Sequence, residues 1–169
     1  KTPLNSLNIE FIDQVFNKAK YIHLIRDGRD VVSSYLNSTT YVNDVNVACQ
    51  RWLNHVEKAS ELGTKKDKNH YIEVYYEDFV SNPSYYTKKI CEFIGVDYTS
   101  EMLNYHKELD KFDDTKREQH KNLKKPINTN SIGKYKNNLT NYQKEIVNKK
   151  LGNKLLELGY DEKLKSKKN

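Results

Sequence analysis

Tyr21, Ile22, His23, Leu24, Ile25, Arg26, Asp27, Gly28, Arg29, Asp30, Val31, Val32, Ser33, Ser34, Tyr35 is the stretch that decides how this chain is read. Its first five residues are short, apolar and β-rich, which predicts a buried strand. Arg26 to Asp30 make a polar turn, and helix-compatible apolar spacing resumes at Val31. A strand feeding a tight turn and a helix is half of a βαβ unit. Upstream, Ile9, Ile12, Val15 and Phe16 follow helical spacing. Downstream, Asp44 is expected to cap a long helix with Ala48, Trp52, Val56 and Ala59 on one face and Gly63 as its stop. A second strand is expected from Tyr71 to Tyr76. Ser81, Asn82 and Pro83 then read as a cap and first-turn proline, opening a helix with Tyr86, Ile90 and Phe93 inward and Gly95 at its end. Alternating strand and helix imply an α/β fold whose residues 21–25 and 71–75 are adjacent parallel strands.

The C-terminal part is less regular. A short helix is expected over residues 100–105, and residues 107–138 show little periodicity, the mark of a lid or binding loop in a compact domain. The last helix is well signalled. Thr140 with Gln143 forms a capping box, Val147, Leu151, Leu155 and Leu158 form an apolar stripe, and Gly159 ends it.

At 169 residues the chain is long enough for one core, and the length prior gives one domain. Only 36% of residues are hydrophobic, but 13 Tyr, 5 Phe and one Trp supply the large side chains that disordered chains lack. No apolar run approaches the roughly 20 residues of a membrane-spanning helix, and no basic-then-apolar signal segment opens the chain. The compartment is left unknown by the sequence, with the cytoplasm slightly favoured over the others. Because the sequence starts at Lys1 rather than Met, the true N-terminus is expected further upstream. Cys49 and Cys91 sit in helix-like segments and are expected to be buried free thiols. The formal charge is +6, but the tail 161–169 holds four lysines against Asp161 and Glu162, so the remainder carries +4. Spread along the chain, that surplus reads as solvated surface and not as a nucleic-acid footprint.

Four of the 29 basic residues are arginine, and two of these, Arg26 and Arg29, flank one turn at the end of a predicted strand. Ligands of open α/β sheets collect outside the carboxyl ends of strands, where helix N-termini favour anions. An arginine there can hold a phosphate with two N–H groups at once, which lysine cannot. Ser34, eight residues after Arg26, can reach the same anion. The plain structural alternative is a surface pair of Arg29 with Asp27 or Asp30. No cluster of ligating residues suggests a metal.

The stretch from Ile25 to Tyr35 resembles the 3′-phosphate-binding motif of sulfotransferases that use 3′-phosphoadenosine 5′-phosphosulfate (PAPS). The resemblance implies that Arg26 and Ser34 bind the 3′-phosphate. Lys1, Thr2 and Pro3 resemble the family's lysine-threonine segment, which implies that Lys1 is catalytic and stabilises the transferring sulfuryl group. Its distance from Arg26 is similar to that in the protein-tyrosine sulfotransferase branch. Tyr76, Glu77, Asp78 and Phe79 resemble the segment whose tyrosine contacts the adenine nucleotide. Lys125, Pro126, Ile127 and Asn128, with Ile132, Gly133, Lys134 and Tyr135, resemble the late loop that closes over the cofactor, which implies a cofactor contact for Lys134. Trp52 is read as core and His120 as exposed loop.

Departures from the family pattern shape the remaining expectations. Nothing in the chain matches the glycine-rich loop that cradles the 5′-phosphosulfate, and Pro3 stands where cytosolic members carry a catalytic histidine. The chain is therefore expected to be the C-terminal part of a single sulfotransferase domain over residues 1–160, with a lysine-rich tail over 161–169. The implied fold is a three-layer α/β arrangement with a parallel sheet of the P-loop-like type, its N-terminal strand and loop missing. The implied reaction moves a sulfuryl group from PAPS to a hydroxyl or amine of a protein tyrosine, a carbohydrate or a small molecule, without a metal or nucleic acid. The chain alone is expected to be inactive. Two other readings stand beside this one: a P-loop nucleotide kinase, which needs Mg²⁺, and a basic module that binds RNA or protein.

Overall fold

The computed structural model describes residues 3–16, 18–38, 42–107 and 125–160. The chain divides into two compact units, residues 1–73 with 131–169 and residues 74–130.

In the first unit, a 3₁₀ segment (Pro3–Asn8) leads into α1 (Ile9–Val15), then β1 (Tyr21–Ile25), α2 (Gly28–Leu36) and α3 (Val45–Lys65). The C-terminal part adds α6 (Tyr135–Asn138) and α7 (Asn141–Glu157). The predicted caps hold. The Asp44 carboxylate accepts the Val47 N–H at 2.9 Å, and Thr140 and Gln143 form the reciprocal capping box. Val32, Cys49, Trp52, Val56, Val147, Leu151 and Leu155 make the core between α2, α3 and α7. Cys49 is a buried free thiol, and burial pushes it up to about 11, which keeps it protonated and inert. The 3₁₀ segment is pinned to α3 by a 2.6 Å hydrogen bond between Ser6 Oγ and His55 Nδ1.

β1 pairs with β2 (Tyr71–Tyr75). The Tyr21 N–H, at the start of β1, donates to the His70 carbonyl just before β2 at 2.7 Å, so both strands start side by side and run parallel, as expected. Three sequence expectations are corrected. First, β1 is buried on one side only, since Ile22 and Leu24 stay 41% and 55% exposed while Ile25 is fully buried. Second, Gly63 does not stop α3, which continues to Lys65. A Cβ at Gly63 would come within 2.4 Å of the Tyr71 ring, so this glycine provides close approach between helix and strand. Third, α2 begins at Gly28 and not at Val31, because Asp27 supplies its cap.

The second unit takes in the end of β2 with α4 (Tyr76–Ser81), α5 (Pro83–Ile94) and a 3₁₀ segment (Ser100–Lys107). Pro83 opens α5 and Gly95, at φ +82°, ends it as predicted, while Asn82 makes no side-chain capping bond. Cys91 is the buried anchor of α5 and lies 3.6 Å from the Met102 sulfur. The helix α4 was not expected from the sequence, which placed Tyr76 in a strand.

His23 on β1 is nearly buried, and its Nδ1 lies 2.7 Å from the Tyr71 hydroxyl, which itself donates to Glu73 at 2.8 Å. Burial lowers the imidazole from its ordinary 6.5, against the opposite pull of Glu73. The folded chain thus binds this proton more weakly than the unfolded one, so stability is lost as pH falls below about 6.5, by at most ~1.4 kcal/mol per pH unit for one group. Urea unfolding between pH 7.5 and 5.5 should show that loss, and a His23→Gln variant should show less of it.

Candidate functional site

The site grows from the turn between β1 and α2. Ile25 is sealed in the core, and the chain emerges at Arg26 beside the N-terminus of α2. The Asp27 carboxylate caps the helix by accepting the Arg29 N–H at 2.9 Å, and it also holds the Arg29 guanidinium, with contacts of 2.7 Å to Nη2 and 3.0 Å to Nε. The two side chains are only 11% and 10% exposed, so this is not the solvent-screened surface pair that the sequence allowed. The same guanidinium lies over the Tyr135 ring, 4.6 Å from its centroid.

Arg26 Nη2 donates to the Ser131 carbonyl at 2.6 Å, and the Arg26 carbonyl accepts the Trp52 indole N–H at 3.2 Å. Asp30, 2% exposed, reaches the same distant segment. Its Oδ2 accepts the Gly133 N–H at 2.7 Å and its Oδ1 the Tyr135 N–H at 2.9 Å. Gly133 has φ +73°, a left-handed conformation that favours glycine and aims these N–H groups at one carboxylate. The turns at 26–30 and 131–135 are thereby stitched together. Each carboxylate in the stitch has its own donors, and Arg26 brings a guanidinium, a planar fork of five N–H groups, to the strand end. Such a guanidinium beside a helix N-terminus suits a phosphate or another oxyanion.

Of the residues expected from the sequence, the structure brings Arg26 to the turn that carries Lys134. Lys134 is exposed, and its carbonyl accepts the N–H groups of Asn137 and Asn138 at the start of α6. Ser34 is exposed on α2 and stands one turn beyond Asp30 on the same side of the helix. Tyr76 opens α4 in the second unit. Lys1 and His120 lie outside the described residues. Trp52 is core, as expected. Sequence reasoning missed Asp30. Its signal was an acidic residue set directly before Val31 and Val32, four positions from Ser34, on a helix whose apolar face turns inward. Among the described residues no group of His, Cys, Asp and Glu could hold a metal ion, and no helix is long and apolar enough to cross a membrane.

A strand, a tight turn and a helix beside a parallel strand pair define the class of α/β folds. Comparison with known proteins narrows it. A model of the sulfotransferase family matches residues 1–100, and the chain belongs to that family. It is 25% identical to a protein-tyrosine sulfotransferase of Drosophila melanogaster over 116 residues, 66% of this chain and 23% of the relative. It is 26% identical to sulfotransferase 2A6 of Mus musculus over 167 residues, 83% of this chain and 58% of that relative. The fold is shared with the sulfotransferase domain of the Synechococcus PCC 7002 olefin synthase, at a TM-score of 0.71 and 24% identity, over 90% of this chain and 57% of that one. The chain thus spans well under two thirds of the length of these relatives. The comparisons support neither the kinase nor the RNA- or protein-binding reading.

Proposed function

We propose that this chain supplies the 3′-phosphate- and adenine-binding part of a PAPS-dependent sulfotransferase. The observation that carries the reading is the stitch between Arg26 and the 131–135 turn, which gathers two separate pieces of the resemblance at one strand end. Arg26 and Ser34 bind the 3′-phosphate, Tyr76 contacts the adenine, and Lys134 closes over the nucleotide. Lys1 neutralises negative charge that develops as the sulfuryl group leaves. PAPS, when bound, supplies an activated sulfuryl group for in-line transfer to a hydroxyl or amine acceptor, such as a protein tyrosine, a carbohydrate or a small alcohol. For the chain's own residues the work is positioning and charge stabilisation, with no covalent step. No residue in this scheme requires a metal.

The test is calorimetric titration of the full-length protein with 3′-phosphoadenosine 5′-phosphate and with 5′-AMP. The 3′-phosphorylated nucleotide should bind about ten- to a hundredfold more tightly, the worth of a charge-assisted contact of roughly 1.5–3 kcal/mol. Equal affinities would remove the assignment.

A further inference from the structure

We propose that Asp30 is a positioning residue of this site, acting through the backbone of the 131–135 turn to fix Lys134 relative to Arg26. The inference rests on the nucleotide-binding reading above and adds to it a residue that touches no nucleotide. Its ground is geometric. Asp30 is a carboxylate at 2% exposure whose two oxygens take one N–H each from Gly133 and Tyr135, the residues on either side of Lys134. Arg26 holds Ser131, two residues before Gly133, by its carbonyl. Lys134 is thus fixed through its flanking peptide groups, while its own side chain stays exposed. A buried charge must be matched by donors, and among the described residues the side-chain oxygens of Asp30 take theirs from the turn. The turn cannot swing away without leaving that charge bare.

The proposal makes a prediction of opposite sign to simple electrostatics. Asp30→Asn removes a negative charge near an anion site, which by charge alone tightens anion binding. A positioning role predicts the reverse. The asparagine amide presents N–H groups where an acceptor is required, so one of the two backbone bonds is lost and the turn loosens.

Two measurements on the full-length protein read this out. Native-state hydrogen exchange without nucleotide should show the Gly133 and Tyr135 amides exchanging about tenfold faster or more in Asp30→Asn than in the wild type. Titration should show 3′-phosphoadenosine 5′-phosphate binding about tenfold more weakly, and the same change made in a Lys134→Ala background should add less than about twofold, since the two residues act as one unit. Should Asp30→Asn fail to fold, Gly133→Ala strains the same turn while keeping the carboxylate, and it should give both effects. Binding equal to or tighter than wild type in the folded variants would overturn the proposal, as would unchanged protection of the two amides. A wild-type protein with no preference for the 3′-phosphorylated nucleotide, but with amides released by Asp30→Asn, would overturn the functional reading and leave Asp30 as the holder of the turn.

Discussion

Replacing Arg26 with alanine should weaken binding of 3′-phosphoadenosine 5′-phosphate about ten- to a hundredfold while changing the affinity for 5′-AMP by no more than about twofold. The asymmetry matters more than the size. Arg26 also donates to the Ser131 carbonyl, so its loss has a structural side that would lower both affinities together. Arg26→Lys separates the two. It keeps the positive charge but gives up the planar fork, and it should recover only part of the discrimination. Equal losses for both nucleotides in Arg26→Ala would assign the arginine to holding the turn and not to the phosphate.

The second large effect is on stability. Trp52→Ala should cost about 3–5 kcal/mol in urea unfolding, as expected for truncating a buried aromatic. Trp52 is 4% exposed, at the centre of the cluster with Val32, Cys49 and Leu151. Against the typical 5–15 kcal/mol that holds a domain of this size, that is a large fraction. Trp52→Phe keeps most of the buried area and loses the indole N–H bond to the Arg26 carbonyl, which should cost about 1 kcal/mol beyond any repacking. A small loss for Trp52→Ala would mean that the site's floor can collapse around the missing ring. The same side chain therefore serves the core and steadies the backbone of the residue assigned to the phosphate.

Local patterns carried most of the fold. The capping box at Thr140, the stripe from Val147 to Leu155, Asp44 as a helix cap and the two β-rich stretches each rest on residues a few positions apart, and each appears where expected. Gly63 was misread because its reason lies across space, in the ring of Tyr71, and not in its own helix. The helix at Tyr76–Ser81 has six residues, fewer than two full turns, so no repeating apolar pattern announced it. In the site, Arg26 stood out because arginine is scarce in this chain. Asp30 was invisible as a functional residue because its partners are 103 and 105 positions away and contribute only backbone N–H groups, which leave no mark on side-chain identity. Ser131 was missed for the same reason, since only its carbonyl is used.

The stitch between residues 26–30 and 131–135 also sets an order of events during synthesis. Arg26 leaves the ribosome 105 residues before Ser131 does. At typical elongation rates of roughly 5–20 residues per second, that is a wait of about 5–20 s. Throughout that interval the carboxylate of Asp30 has neither of the N–H donors from Gly133 and Tyr135, so water must serve in their place. Shielding of Asp30 is completed only when the last part of the described chain arrives. A nascent chain stalled before Gly133 should accordingly leave Asp30 without these donors, and the turn at 26–30, though made early, is finished among the last.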